Sequence, residues 1–147
     1  MDYFTKWPEA FAVADQTAET VAEGLVEHVV SRFGVPQEIH TDQGTHFESA
    51  VFQHALKVLG IRRTRTTPLH PQSNGMVERF NRTLVDLLSK TVGGDQKDWD
   101  KQLPIALLAY RGTDHSSTGF SPAMLLYGRE LALPVNLLRG RLPQESE

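Results

Sequence analysis

The 147-residue sequence predicts an α/β fold, a mixed β-sheet flanked by helices. Three observations carry the prediction. β-rich segments alternate along the chain with stretches whose apolar residues recur at helical spacing. Gly and Pro punctuate the joints between them. The composition, 39% hydrophobic and 22% charged, is that of an ordinary globular chain.

Residues 3–7 and 9–14 read as extended segments interrupted by Pro8. A helix follows over 17–33, with Ala18, Val21, Ala22, Leu25, Val29 and Phe33 on one face. Thr17 suits its N-cap, Glu19 its first turn, and Gly34 with Pro36 its end. Residues 38–41 form a short strand that runs into the turn signal Asp42-Gln43-Gly44. A second helix spans 48–59 and stops at Gly60, and residues 61–66 are β-rich. Residues 67–75 have loop composition. A third helix covers 76–92, with Val77, Phe80, Leu84, Leu87 and Leu88 as its stripe. A fourth covers 99–110, where Pro104 implies a kink or a late start. Ser121-Pro122 opens a last short helix that ends near Gly128. Trp99, Phe80 and Tyr110 are expected in the core. One domain over 1–132 and an exit tail over 133–147 complete the layout.

Several function classes fall away. Without cysteine there is no thiol catalysis, disulfide or cysteine-ligated zinc. No apolar run approaches the roughly 20 residues of a membrane span. The opening residues lack the basic-then-apolar pattern of a secretory leader, so a nuclear or cytoplasmic setting is expected. The abrupt strand-like opening suggests a piece of something longer. The net charge of −3 hides an uneven distribution. Residues 1–30 hold six acids and one base, whereas residues 57–82 hold six bases and one acid. A basic stripe is what a polyanion recognises; arginines that guard a strand edge against aggregation are the alternative. Arg62, Arg63 and Arg65 alternate along a strand and so cannot all point the same way.

Asp42 lies just past the C-terminal end of a strand, the edge at which open α/β sheets bind ligands. Glu78 lies in the first turn of a helix, and thirty-five residues separate the two. Two carboxylates about 4 Å apart repel by a few kcal/mol even at an effective dielectric of 20. A divalent cation between them relieves that repulsion, and hard oxygen donors suit Mg²⁺ or Mn²⁺. A turn-capping aspartate and a solvated helical glutamate are the alternative. His40 and His46 flank Asp42, but imidazole fits Mg²⁺ poorly, which favours for both a structural role or one that supports the ligands from behind.

Asp2-Tyr3-Phe4-Thr5-Lys6-Trp7-Pro8-Glu9-Ala10, Arg32-Phe33-Gly34-Val35-Pro36, Thr41-Asp42-Gln43-Gly44, His70-Pro71-Gln72-Ser73-Asn74-Gly75, Val77-Glu78-Arg79-Phe80-Asn81-Arg82-Thr83-Leu84 and Gly119-Phe120-Ser121-Pro122 occur in that order. Together they resemble the integrase catalytic core of gypsy-type LTR retrotransposons, relatives of retroviral integrase. The resemblance runs over nearly the whole chain. It implies a ribonuclease-H-like three-layer fold and a triad of two aspartates and a glutamate, with Asp42 as the second acid and Glu78 the third. It further implies Mg²⁺ (or Mn²⁺), double-stranded DNA as substrate, 3′-end processing and strand transfer, and a homodimer or higher oligomer, with residues 99–110 expected to contribute. Asn74 and Arg82 match positions that touch DNA in the family. Arg79 and Arg63 are further DNA-binding candidates. The family's first acid sits on a strand upstream of the segment resembling 2–7, and that strand is expected to be missing here. Asp2 matches a position that is not catalytic. A domesticated or fragmentary domain that binds nucleic acid or a protein without catalysis is the alternative function.

Overall fold

A computed structural model describes residues 1–66, 75–91 and 98–134. The chain divides into two compact units, one of residues 11–79 and one of residues 1–10 with 80–147. No helix among the described residues is long and apolar enough to cross a membrane.

In the first unit, α1 (Ala18–Leu25), a π-helical stretch (Val26–Val30) and α2 (Ser31–Phe33) form the helix expected over 17–33. The Thr17 side chain accepts the Thr20 N–H, as its capping role requires. The chain then enters β1 (Glu38–Thr41), α3 (Thr45–Glu48), α4 (Ala50–Leu59) and β2 (Arg62–Arg65). The single helix expected over 48–59 is therefore divided. Ser49 adopts an extended conformation and caps α4 by accepting the Phe52 N–H. At the other end Gly60 takes the left-handed conformation, φ 71°. There the Gly60 N–H bonds to the Lys57 carbonyl and the Ile61 N–H to that of Leu56. These paired bonds form a Schellman ending, which drops Ile61 into the core beside Leu56.

β1 and β2 pair in parallel, with Glu38 opposite Arg62 and Thr41 opposite Arg65. This two-stranded sheet is the whole of the sheet among the described residues. Residues 3–7 and 9–14, expected as strands, are not. Residues 3–5 form a turn, tied by bonds from the Asp2 N–H to the Trp7 carbonyl and from the Lys6 N–H to that of Asp2. Lys6 takes a positive φ of 62° there, a conformation incompatible with a strand. Phe52, Leu56 and Ile61 form the buried core of this unit, joined by Val21, Ala22, Leu25, Ile39 and Phe47.

The second unit is helical: α6 (Trp99–Arg111), α7 (Pro122–Tyr127) and most of α5 (Gly75–Thr91), which begins within residues 11–79. Phe80, Leu103 and Leu107 are its buried core, with Leu84, Leu88 and Tyr110 packed against them. Trp99, expected inside, is instead 45% exposed. It occupies the first position of α6, before the stripe of Leu103 and Leu107 turns inward. α6 runs continuously through Pro104, which is exposed and so withholds its missing N–H from a carbonyl that water can reach.

Two of the sequence motifs turn out to build this unit. Trp7, Pro8 and Glu9 are gathered by Arg111, whose guanidinium donates to the Pro8 carbonyl at 2.8 Å and meets Glu9 at 3.0 Å. It also lies 4.4 Å from the centre of the Trp7 ring. Gly119 to Pro122 forms a turn and helix start. Gly119 supplies a φ of 73°, and buried Ser121 caps α7 through the Met124 N–H while donating to Glu130.

Candidate active site

β1 delivers Asp42 to the C-terminal end of the sheet, where it is exposed. The Asp42 Oδ1 accepts the Gly44 N–H at 2.9 Å, an Asx turn that fixes one carboxylate oxygen. Gly44 has an ordinary φ of −56°; what it provides is room. A Cβ there would sit 3.0 Å from both Asp42 Oδ1 and the His46 ring. The Thr66 N–H bonds to the Thr41 carbonyl and the Gln43 amide donates to the Thr66 carbonyl, so the strand end is held on both sides of Asp42.

Strand alternation distributes the three arginines of β2. The face carrying Glu38, His40, Arg62 and Thr64 is a polar network: Arg62 pairs with Glu38, and Thr64 donates to Glu38. His40 is bracketed by the Thr64 and Thr66 hydroxyls at 2.9 and 3.1 Å. Its two ring nitrogens are thus engaged away from Asp42. His46 packs its ring against Phe47, with centres 4.1 Å apart.

On the other face, the side chain of Arg63, expected among the DNA-binding candidates, is only 6% exposed. Nε donates to Thr41 Oγ1 at 2.9 Å and Nη1 to the Phe47 carbonyl at 2.8 Å. Nη2 donates to the Asp42 carbonyl at 3.2 Å and to Glu48 Oε1 at 2.7 Å. Arg65 meets the other oxygen of Glu48 at 3.3 Å. A buried guanidinium needs every donor satisfied and its charge matched, and the loop after β1 meets both needs. Glu48 and Thr41 carry no local mark of this role in the sequence, because neither is near Arg63 along the chain. The available signal was parity, since Thr41 and Arg63 lie on the same side of a parallel pair.

Glu78 is exposed in the first turn of α5, where the helix dipole favours an acid. Arg82 follows four residues later, one turn along the same face, and is exposed. The Arg79 guanidinium lies 3.5 Å from where a Gly75 Cβ would be. Asn74 lies outside the described residues. Asp42 and Glu78 thus stand on two different elements of the 11–79 unit. Among the described residues no group of three or more His, Asp or Glu forms a metal-binding cluster. Asp2 is committed to its own turn, with Oδ2 accepting both the N–H and the hydroxyl of Thr5 at 2.6 Å. Partial burial pushes its carboxyl up, but these bonds and one from the Phe4 N–H outweigh it and hold the pKa below the usual carboxylate value.

Parallel strands joined through helices give the 11–79 unit an α/β architecture, and the solved structures it resembles give its class as ribonuclease-H-like. Two solved structures bear this out. The chain superposes on a simian T-cell lymphotropic virus intasome in complex with the PP2A regulatory subunit B56 gamma. That match has a TM-score of 0.76 at 27% identity and covers 99% of this chain and 50% of that one. For the catalytic core domain of BIV integrase the TM-score is 0.68 at 29% identity, over 82% of this chain and 78% of that one. The integrase core domain family matches residues 1–71. The Pol polyprotein of Radiation murine leukemia virus (strain Kaplan) is 41% identical over 129 residues, 87% of this chain. The Gag-Pol polyprotein of Baboon endogenous virus (strain M7) is 40% identical over the same length. The chain spans only 22% and 7% of those two polyproteins. It belongs to the integrase catalytic cores of retroviral type.

Proposed function

We propose that the chain is the core of an integrase-type polynucleotidyl transferase that processes DNA 3′ ends and joins them to target DNA, with Asp42 and Glu78 as two of its metal-binding carboxylates. The observation that carries this reading is Asp42 itself. It is an exposed carboxylate at the C-terminal end of a strand, held by the Gly44 N–H, in a chain of the integrase core family. The donor chemistry fits a hard divalent cation. Carboxylate oxygens are offered, while the nearby imidazoles are occupied by hydroxyls or packed on an aromatic ring. Asp42 and Glu78 would hold Mg²⁺ or Mn²⁺, which when bound polarises a phosphodiester and favours in-line displacement at phosphorus.

The chain's own residues do the rest. Gly44 and the strand-end bonds orient Asp42, and Glu78, in the first turn of α5, would supply the second carboxylate. Arg82, one turn beyond it, offers a guanidinium to a DNA phosphate, and Arg79 and Asn74 are the further candidate contacts. Double-stranded DNA, assembly as a dimer or higher oligomer, an origin in a gypsy-type element and a nuclear place of action belong to the same proposal.

The test is Mn²⁺ binding to the 147-residue chain by calorimetry, together with Mg²⁺-dependent joining of DNA ends. Asp42→Asn and Glu78→Gln should each weaken Mn²⁺ binding by at least about tenfold and abolish joining, with circular dichroism unchanged. Binding that neither substitution alters removes both residues from the site.

A further inference from the structure

The Arg63 guanidinium closes the Asp42 loop as a fork closes a clasp. It holds residues at both ends of the loop: Thr41 and the Asp42 carbonyl on one side, the Phe47 carbonyl and Glu48 on the other. Between them lies the turn in which the Gly44 N–H holds Asp42 Oδ1, and the Phe47 and Glu48 N–H groups bond to the Gly44 carbonyl. Thr41 relays the hold, because its hydroxyl accepts from Arg63 Nε and donates to the Asp42 carbonyl. Glu48 anchors the fork and is itself tied by Arg65. A planar guanidinium can satisfy these acceptors together, whereas an ammonium cannot reach them from one point.

We infer that Arg63, anchored by Glu48, is a positioning residue that pre-sets the Asp42 carboxylate for its cation through the 42–47 loop. This inference rests on the reading of Asp42 as a cation ligand. Outer partners that orient a ligating carboxylate typically set metal affinity by 10–100-fold, and no contact to the metal is needed. Arg63 therefore serves the site from within the fold rather than by touching DNA.

The test compares Arg63→Lys with the unchanged chain in three measurements: thermal melting, amide hydrogen exchange at Gly44, Phe47 and Glu48, and the Mn²⁺ titration midpoint. Arg63→Lys should stay folded, exchange the loop amides about tenfold faster and raise the midpoint about tenfold. Arg62→Lys, on the opposite face of the same strand, should change neither the loop exchange nor the midpoint. In an Asp42→Asn background, Arg63→Lys should add no further change in midpoint, as expected if the two act through one another. If Arg63→Lys does not fold, Glu48→Gln takes its place, with the same loss in smaller measure. A midpoint that Arg63→Lys leaves unchanged, while Asp42→Asn raises it, overturns the positioning role alone. A midpoint that Asp42→Asn also leaves unchanged overturns the cation reading and the positioning role with it.

Discussion

Residues 11–79 and the unit of 1–10 with 80–147 each use a largely enclosed arginine to hold an irregular stretch of chain, by different means. Arg63 grips a loop by its carbonyls, and its acid, Glu48, is 35% exposed and shared with Arg65. Arg111 grips the segment around Pro8, and its acid, Glu9, is only 12% exposed. The second pair is enclosed further by the Trp7 ring, whose indole N–H also donates to Glu9. The difference teaches where removing a cation is costly. A carboxylate that keeps water and a second arginine tolerates the loss. One that is closed in by an aromatic ring keeps less water around its charge, so the loss costs more.

The largest expected effect follows directly. Arg111→Ala should lower stability by about 3 kcal/mol, the low end of the range for breaking a buried pair, because this pair is partly buried and Glu9 keeps the Trp7 N–H. Arg63→Ala should cost about 1–3 kcal/mol, because Glu48, the acid it leaves, keeps water and Arg65. Denaturant unfolding of the two variants measures both, and equal losses would erase the distinction.

A smaller effect sharpens the picture of the 11–79 unit. Gly24 is buried against Phe11, and a Cβ at residue 24 would lie 2.4 Å from the ring. The same ring stacks on His28, with centres 4.2 Å apart. Gly24→Ala should therefore destabilise by about 1–3 kcal/mol despite its gain in helix propensity. Adding Phe11→Leu should recover most of that loss, which thermal melting of the single and double variants would show.

The smallest effect concerns pH. The Asp2 carboxyl is held below the usual value of 3.8 chiefly by Thr5 against its partial burial, and that of Asp15 by the Thr20 hydroxyl and then by Thr17. A depressed folded-state pKa adds stability that is complete above the unfolded value and is lost as pH falls through the folded one. Both units should therefore weaken in the same window, below about pH 4. Asp2→Asn should flatten the acid limb of a pH–melting profile slightly, and an unaltered limb would show that the Thr5 bonds add nothing.

Much of the fold was legible because its signals are local. The Thr17 and Ser121 caps follow from side chains acting on neighbouring backbone, and the Gly34, Gly60 and Gly128 endings from glycine's freedom to take a positive φ. The opening segments misled for the converse reason. β-rich composition describes residues 3–7 well, but the Asp2 carboxylate and the Thr5 hydroxyl bend them into a turn. At the site, Asp42 and its glycine could be read as a motif. The role of Arg63 could not, because an arginine on a short strand is equally a DNA contact, a guard of the edge or a clamp until its acceptors are known. Trp99 shows the same limit in reverse, since a large apolar residue at a helix start does not reveal whether its face turns inward.

The sequence by itself determined the order of the helices and the paired strands, their caps and stops, and the ordered motifs that place the chain among integrase cores. These depend on residues within a turn or two of one another. Tertiary structure alone decided which charges are buried, because burial depends on what distant segments bring. Glu48 and Thr41 meet Arg63, and Arg111 reaches back across some hundred residues to Pro8 and Glu9. A charge inside a protein persists only where such partners converge.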